Sequence, residues 1–243
     1  MKYIFNKEIH NLKSPAEIVP ILLEKYQITS VLDVGTGVGT WLKEFENRGV
    51  SDVFGVDIQM VELSELHVSV DKVRQVDLSS EFNLQRKFDL VLCLEVAEHI
   101  PEASADILVS SLVRHADLIL FSAAIPNQGG QYHINEQWPD YWQSKFAKHD
   151  FVFYDYLRSR IWTNKKIDWW YRQNVFIVTK RRQEAESNEN VLSLVHPEML
   201  ESIIRSHKVL LEDQYYGRIG FRLLFRNFIR SCLYRMKSIL IPK

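Results

Sequence analysis

"VLDVGTGVGTW", residues 31–41, is the stretch of sequence that decides the fold. A short apolar run with the character of a buried strand leads directly into three glycines spaced G-x-G-x-G, and a helical pattern follows. Glycine lets the backbone turn sharply and approach a ligand closely. The spacing differs from the G-x-G-x-x-G of dinucleotide-binding enzymes, and no lysine follows as it would in a phosphate-binding loop. The stretch therefore predicts a strand, a ligand-binding loop and a helix.

Acidic residues end the first three predicted strands. Asp33 lies before the glycines, Asp57 ends the second predicted strand (in "FGVDI") and Asp77 ends the third (in "RQVDL"). An acid about 20 residues after such a loop is placed to accept hydrogen bonds from a ribose diol. Asp33 could order the loop or meet a cationic ligand group, and Asp77 could accept from an adenine amino group. Each acid alone also fits a turn or cap residue, but together they predict a nucleoside site at the carboxyl edge of a sheet.

Strand and helix patterns alternate along most of the chain. The predicted strands are 30–34, 53–56, 73–76, 88–93, 118–122, 151–157 and 174–179, and the predicted helices are 15–26, 40–48, 103–115 and 136–149. Asn135 is a good N-cap for the last of these helices. This alternation predicts an α/β fold with a doubly wound sheet covered on both faces. Because no crossover helix separates the last two strands, one of them is expected to be antiparallel.

Composition sets the broad class. The chain has 243 residues, of which 46% are hydrophobic and 25% charged, as in soluble globular proteins. Its two cysteines, Cys93 and Cys232, lie far apart in the sequence, so a disulfide framework is not expected. A cytoplasmic location is expected instead. No signal-peptide core or run of about 18 apolar residues occurs. No set of His, Cys, Asp or Glu has metal-ligand spacing, so no metal is expected.

The charge distribution divides the chain. Residues 1–182 are predicted to form one domain, 183–190 (QEAESNEN) a linker, and 191–243 a helical extension that begins with a short helix at 197–206. Residues 217–243 carry seven Lys or Arg and no Asp or Glu. This basic amphipathic pattern indicates a helix that binds the inner membrane surface or a partner protein. Packing on its own domain or on a dimer mate is the alternative, and no nucleic acid is expected.

Residues 31–179 resemble the class I S-adenosylmethionine-dependent methyltransferases. The resemblance rests on "VLDVGTGVG", on Asp57 and Asp77, and on "FDLVLCLEVAEHI" at 88–100. It implies a Rossmann-like sheet of seven strands with the last strand antiparallel, and S-adenosylmethionine as cofactor. The cofactor-binding residues that it implies are Asp33, Gly35, Thr36, Gly37, Gly39, Asp57, Ile58, Asp77, Leu78, Leu94 and Glu95.

Two histidines are placed to take part in methyl transfer. An alcohol acceptor benefits from a general base, for which histidine is suited near neutral pH, whereas a carboxylate or phosphate acceptor needs none. His133 follows the fifth strand, where it could act as base, bind the acceptor or cap a helix. His99, with Glu98, follows the fourth strand and is expected mainly to order its loop, with catalysis as the second interpretation.

The acceptor side is predicted in the polar and aromatic stretch that begins at Gly129 and Gly130, a possible hinge. Candidate acceptor contacts are Gln131, Tyr132, Asn135, Trp138, Trp142, Trp169 and Trp170, although the same rings could pack over the sheet. Residues 129–142, "RIWTNKKIDWWYRQN" and "LVHPEML" resemble a bacterial subgroup associated with surface-polysaccharide assembly. The sequence therefore predicts O-methylation of a sugar hydroxyl in a glycan or nucleotide-sugar. The alternatives are a small metabolite or phosphate acceptor, or a non-catalytic cofactor-binding partner of a glycosyltransferase.

Overall fold

A computed structural model describes residues 3–5, 8–180, 191–216, 225–226 and 228–229. The strands are β1 Ser30–Val34, β2 Asp52–Asp57, β3 Val73–Gln75, β4 Leu90–Leu94, β5 Leu118–Ser122, β6 Phe151–Tyr154 and β7 Phe176–Lys180. The helices are α1 Lys13–Lys25, α2 Thr40–Asn47, α3 Ala105–His115, α4 Pro139–Ala147, α5 Arg158–Ile161, α6 Trp169–Asn174 and α7 Pro197–Tyr215. Contacts divide the chain into a unit that ends at His196 and a second unit that begins at Pro197.

The seven strands form one sheet in the order β3-β2-β1-β4-β5-β7-β6. β7 runs antiparallel to both of its neighbours, β5 and β6, and the pairs among the first five strands are parallel. The predicted fold class, including the antiparallel last strand, is confirmed. The strand order reverses beside β1, which pairs with β2 on one side and β4 on the other. Ligands of open α/β sheets bind in the crevice at such a switch point.

Apolar side chains fill both faces of the sheet. On one face, β4 residues Val91 and Cys93 pack in a buried cluster that includes Leu108 of α3 and Phe146 of α4. On the other, Leu92 belongs to a cluster formed with helices α1 and α2. Alternate residues of a strand point to opposite faces of the sheet. Because both faces are covered here, β4 is apolar throughout. Each fully buried aliphatic or aromatic side chain contributes about 1.5–3 kcal/mol, and these layers hold the strand ends in place.

The segment before α4 differs from the prediction. The predicted helix starts at residue 136, but α4 begins at Pro139, with Trp138 in an extended conformation at its N-cap. The backbone N–H groups of Ile134 and Asn135 instead donate to the Glu98 carbonyl, at 2.9 and 3.0 Å. The prediction of Asn135 as a helix cap is therefore wrong. Tertiary hydrogen bonds to the loop after β4 replace the first helical turn.

The second unit begins with α7. This helix runs to Tyr215, nine residues beyond the predicted end at 206. The predicted linker lies outside the described residues, as does the basic segment 217–243 except for residues 225–226 and 228–229. Within the part of the chain that is described, no helix has both the length and the apolar character needed to cross a bilayer.

Candidate active site

The glycine loop after β1 is compact because its neighbours approach the backbone directly. Gly35, Gly37 and Gly39 all have positive φ, at 83°, 53° and 79°. A Cβ at Gly35 would lie 2.3 Å from the Val96 side chain, and one at Gly37 would lie 2.7 Å from the Phe5 ring. Glycine is required at both positions, for conformation and for space.

Asp57 holds this loop from the end of β2. Its Oδ2 accepts a 2.8 Å hydrogen bond from the Gly37 N–H, and its Oδ1 accepts one of 2.9 Å from the Gln59 N–H. The carboxylate is 7% exposed. Burial raises the pKa of Asp57, while the backbone donors oppose the shift. The predicted ribose acid thus lies against the glycine loop.

Asp33 places its carboxylate in a buried position at the glycine loop. The residue is 3% exposed, and its Oδ2 has no hydrogen-bond partner among the described residues. Burial raises its pKa to about 7, with the Thr36 hydroxyl opposing the shift and the charge of Asp57 adding to it. Because an unpartnered buried carboxylate is costly, this oxygen is suited to a cationic ligand group.

The remaining residues predicted to bind the cofactor near the strand ends differ in exposure. Asp77 is exposed and accepts hydrogen bonds from the Ser79 N–H and the Ser80 hydroxyl, both 2.9 Å, which lower its pKa. Ile58 is 53% exposed, so an apolar face is open beside β2. Leu78 and Leu94 are 2% and 8% exposed and belong to the two core clusters. Ile58 and Asp77 are therefore the more accessible members of the set.

Glu95 leaves β4 in a left-handed backbone conformation, with φ 55°. Its carboxylate accepts from the Gln128 amide at 2.8 Å and from the Asn174 amide at 3.1 Å. Burial raises its pKa, and these hydrogen bonds oppose the shift. Sequence analysis missed Gln128 and Asn174, because only the fold brings the β5 loop and α6 to the end of β4.

Two further non-glycine residues of this region have left-handed backbone. They are Asn127 and Tyr132, with φ 70° and 56°. Such conformations cost energy and persist where the surroundings fix them, often at functional loops. Together with Glu95, they mark the loops after β4 and β5 as constrained segments.

The two predicted histidines meet at the end of the sheet. The rings of His99 and His133 contact edge to face, with centroids 4.9 Å apart. Burial and, to a smaller extent, the charge of His133 lower the pKa of His99 to about 4, against a hydrogen bond to the Tyr132 carbonyl that raises it. His99 is therefore neutral at neutral pH.

Glu136 binds His133 and was not predicted. Its Oε1 lies 2.9 Å from His133 Nδ1. Gly130 also contributes, because a Cβ there would lie 2.1 Å from His133 Nε2, whereas a Cβ at Gly129 would meet nothing within 4 Å. The structure thus gives Gly130 a role in accommodating the imidazole, in addition to the predicted hinge.

Glu98, His99 and His133 could together hold a metal ion. One carboxylate oxygen and two ring nitrogens lie within 4.8 Å of one another, the one such group found among the described residues. Glu98 is fully buried, both of its oxygens lack a hydrogen-bond partner in that part of the chain, and burial raises its pKa well above the usual value. Spacing in sequence could not indicate this group, since His133 follows 34 residues after His99.

The predicted aromatic contacts are only partly accessible. Trp142 is 1% exposed and packs on Phe121 with centroids 5.5 Å apart, so it belongs to the core and its predicted substrate contact is wrong. Trp138 is 38% and Tyr132 45% exposed. Trp169 and Trp170 are partly buried at the start of α6, with their rings in contact.

Residues 3–5, here called the N-terminal strap, bridge the two sides of the site. The Gln59 amide pairs with both the N–H and the carbonyl of Tyr3, at 2.9 and 3.0 Å. The Gln131 amide pairs in the same way with Ile4, at 3.3 and 3.0 Å. The Tyr3 ring contacts His99, with centroids 5.6 Å apart. The strap therefore links the loop after β2 to the loop after β5.

Comparison with known proteins gives a family match for most of the chain. The family model described as a methyltransferase domain matches residues 7–175, more than half of the chain. The chain belongs to this methyltransferase family. Ubiquinone biosynthesis O-methyltransferase of Neisseria meningitidis serogroup C is similar to this methyltransferase, at 29% identity over 114 residues that cover 43% of the chain and 48% of the relative. The corresponding enzyme of Acinetobacter baylyi is 32% identical over 101 residues, which cover 38% of the chain and 42% of that protein.

Solved structures agree with the family assignment at the level of fold. Magnesium protoporphyrin IX methyltransferase from Synechocystis PCC 6803 with bound SAH has a TM-score of 0.54 and 19% identity, covering 74% of this methyltransferase and 90% of that chain. An S-adenosylmethionine-dependent methyltransferase from Clostridium acetobutylicum has a TM-score of 0.53 and 13% identity, covering 69% and 91%. At this level of sequence identity, the structural similarity shows a shared fold alone. The curated relatives are matched over about half of their own length or less.

Proposed function

We propose that this methyltransferase uses S-adenosylmethionine to O-methylate a hydroxyl group, with His133 as general base. When bound, S-adenosylmethionine supplies an electrophilic methyl group. The protein must hold the acceptor in line with it and exclude water. The observation that carries the proposal is the contact between a neutral His99, after β4, and a carboxylate-bound His133, after β5, at the carboxyl end of the sheet.

The residues of the glycine loop fit this cofactor. The Oδ2 of Asp33, which has no partner in the described part of the chain, is suited to its cationic amino group, and Asp57 is suited to accept from ribose hydroxyls. Ile58 offers an exposed apolar surface for the adenine ring. The structural neighbours that bind S-adenosylmethionine or its product support this choice.

The acceptor that we propose first is a sugar hydroxyl of a surface glycan or its nucleotide-sugar precursor. The exposed rings of Trp138 and Tyr132 suit the apolar faces of a sugar. The second candidate is a hydroxyl of a small metabolite, such as an intermediate of ubiquinone biosynthesis, which the two ubiquinone biosynthesis O-methyltransferase relatives favour. A phosphate acceptor is less well supported, since it would make no use of a base.

Transfer of a labelled methyl group tests the proposal. The purified protein is incubated with labelled S-adenosylmethionine and with nucleotide-sugars, lipid-linked glycans or phenolic quinone precursors. We expect one class to be methylated on oxygen and His133→Ala to lower kcat by about 100-fold or more. Binding of S-adenosylhomocysteine without transfer to any hydroxyl would favour a non-catalytic binding protein. Loss of activity in EDTA, restored by a divalent cation, would assign His133 to a metal instead.

We further propose that the basic segment 217–243 contacts an anionic membrane surface. Its seven basic residues and absence of acidic ones support this role. Full-length protein should sediment with vesicles containing phosphatidylglycerol, and residues 1–216 should not. Equal sedimentation would contradict the proposal, and retention on an immobilised glycosyltransferase instead would assign the segment to a protein partner.

A further inference from the structure

Glu136 is the central hydrogen-bond acceptor of the loop between β5 and α4. Its Oε1 accepts from the Gly129 N–H at 2.7 Å and lies 2.9 Å from His133 Nδ1. Its Oε2 accepts from the Asn127 N–H at 2.7 Å. One carboxylate therefore binds three donors spread over seven residues, on a loop whose backbone is left-handed at Asn127, Gly129 and Tyr132.

This arrangement determines where the proton of a neutral His133 lies. A carboxylate accepts hydrogen bonds and cannot donate, so the ring must donate from Nδ1, which leaves the lone pair on Nε2. The Nε2 side of the ring lies against Gly130, where a Cβ would come within 2.1 Å of Nε2. An imidazole with a free Nε2 lone pair is the form that a general base requires.

The other titratable groups around His133 do not compete for Nδ1. His99 contacts the ring edge to face, and its own Nδ1 lies 3.4 Å from the Tyr132 carbonyl. A Glu98 carboxylate oxygen lies within 4.8 Å of one ring nitrogen of His133, but neither Glu98 oxygen has a hydrogen-bond partner among the described residues. Glu95 is held by Gln128 and Asn174. Glu136 is thus the acidic group hydrogen-bonded to His133 in the described structure.

We propose that Glu136 is the positioning residue of the acceptor site, fixing the tautomer of His133 and the shape of residues 127–133. The inference rests on the proposed function in assigning Nε2 of His133 to an acceptor hydroxyl. Both oxygens are needed, because glutamine at this position would offer one acceptor oxygen and an amide donor in place of the second. His133 would then have reduced preference for the Nδ1–H form.

The tautomer can be measured without any acceptor. Full-length protein with ¹⁵N-labelled histidine is studied by long-range ¹H–¹⁵N NMR, and His133→Asn identifies the His133 signals. We expect Nδ1–H in the wild type and a shift toward Nε2–H in Glu136→Gln. Glu102→Gln, which changes an exposed carboxylate, is the matched control and should leave the signals unchanged. Nε2–H in the wild type would overturn the proposal even if Glu136→Gln failed to fold.

Kinetics with the acceptor found in the transfer assay test the catalytic consequence. Glu136→Gln should lower kcat by about 100-fold and move the acid limb of the pH profile to lower pH. The affinity for S-adenosylhomocysteine should remain within about twofold of wild type. In a His133→Asn background, the same change should lower kcat by less than about 10-fold.

An undiminished kcat in Glu136→Gln, or a full 100-fold loss in both backgrounds, would overturn the role. If no hydroxyl is methylated, the proposed function fails while the NMR result still decides the positioning.

Discussion

Gly35 shows how a single residue fixes the geometry of the glycine loop. It combines a left-handed backbone with a neighbour, Val96, that leaves no room for a Cβ. Gly49, after α2, has a similar φ of 92° but open space around it. Alanine at Gly49 would therefore carry backbone strain alone, whereas alanine at Gly35 would carry the same strain and also clash with Val96.

Replacing Gly35 by alanine should abolish cofactor binding. The left-handed backbone costs about 1–2 kcal/mol for alanine, and contact with Val96 adds to it by displacing the loop after β4. Gly49→Ala is the control and should cost only the backbone part. Calorimetry with S-adenosylhomocysteine and urea unfolding measure both effects. Equal loss of stability and unchanged affinity in the two variants would contradict the role of Val96.

The pKa of Asp33 predicts a pH-dependent stability. Its value of about 7 exceeds the ordinary 3.8, so between these values the folded protein retains a proton that the unfolded chain has released. Stability without cofactor therefore falls as pH rises through this window. Asp33→Asn should stabilise the cofactor-free protein at pH 8 by up to about 4 kcal/mol, while lowering the affinity for S-adenosylhomocysteine.

Urea unfolding at pH 5 and pH 8 checks this prediction. Asp140→Asn, at an exposed position, should change neither value. A change in stability between these pH values that is the same in the wild type and in Asp33→Asn would show that Asp33 is not responsible.

At the residue scale, the sequence predicted that the acids and the glycines lie near one another, because they follow strand ends directly. Asp33, Asp57 and Gly37 lie together as expected. Glu136 was missed because it was assigned to a helix. Trp142 was misplaced because a helix of mixed polarity does not reveal which aromatic ring faces the core.

At the scale of elements, α4 separates two tryptophans with different surroundings. Trp142 is fully buried against Phe121, whereas Trp138 precedes the helix and is partly exposed. Trp142→Ala should destabilise the protein by about 3–5 kcal/mol, as expected for a large core cavity. Trp138→Ala should cost less than about 1 kcal/mol and raise KM for the acceptor. Urea unfolding and the transfer assay distinguish these outcomes, and a large loss of stability at Trp138 would contradict them.

The N-terminal strap is expected to slow cofactor exchange. Gln59→Ala and Gln131→Ala each remove two hydrogen bonds to the strap, worth about 0.5–1.5 kcal/mol apiece. Each variant should therefore release S-adenosylhomocysteine several-fold faster in stopped-flow fluorescence. Gln143→Ala on α4 is the control. An unchanged release rate in both strap variants would show that the strap does not limit exchange.

Element boundaries were predictable where periodicity is strong and unpredictable where tertiary contacts decide. The bounds of β1 and β5 agree with the prediction. The short helices α5 and α6 were absent from it. Arg158 and Asn174, which anchor these helices, are held by Asp155 and by Glu95, contacts that no local pattern reveals.

At the scale of the whole molecule, residues 191–196 complete the first unit. The Arg158 side chain donates to the Leu192 carbonyl at 3.0 Å, and the His196 N–H donates to Gln173 at 2.7 Å. A protein truncated to residues 1–196 should therefore retain the cofactor affinity of the full chain. A protein truncated to residues 1–182 would leave buried polar groups unpaired, which lowers the free energy of unfolding by about 1–3 kcal/mol for each group. We expect a Tm lower by at least about 4 °C for 1–182. A Tm for 1–182 equal to that of 1–196 in differential scanning calorimetry would contradict this.

The site draws its parts from distant places in the chain. Tyr3 contacts His99, and Asn174 hydrogen-bonds to Glu95. Tyr3 and Asn174 therefore come from near opposite ends of the first unit in the sequence. During synthesis on the ribosome, α6 is among the last elements of this unit to emerge. The assembled site therefore does not exist on a partly made chain, and the cofactor can stabilise only a chain whose sheet is already nearly complete.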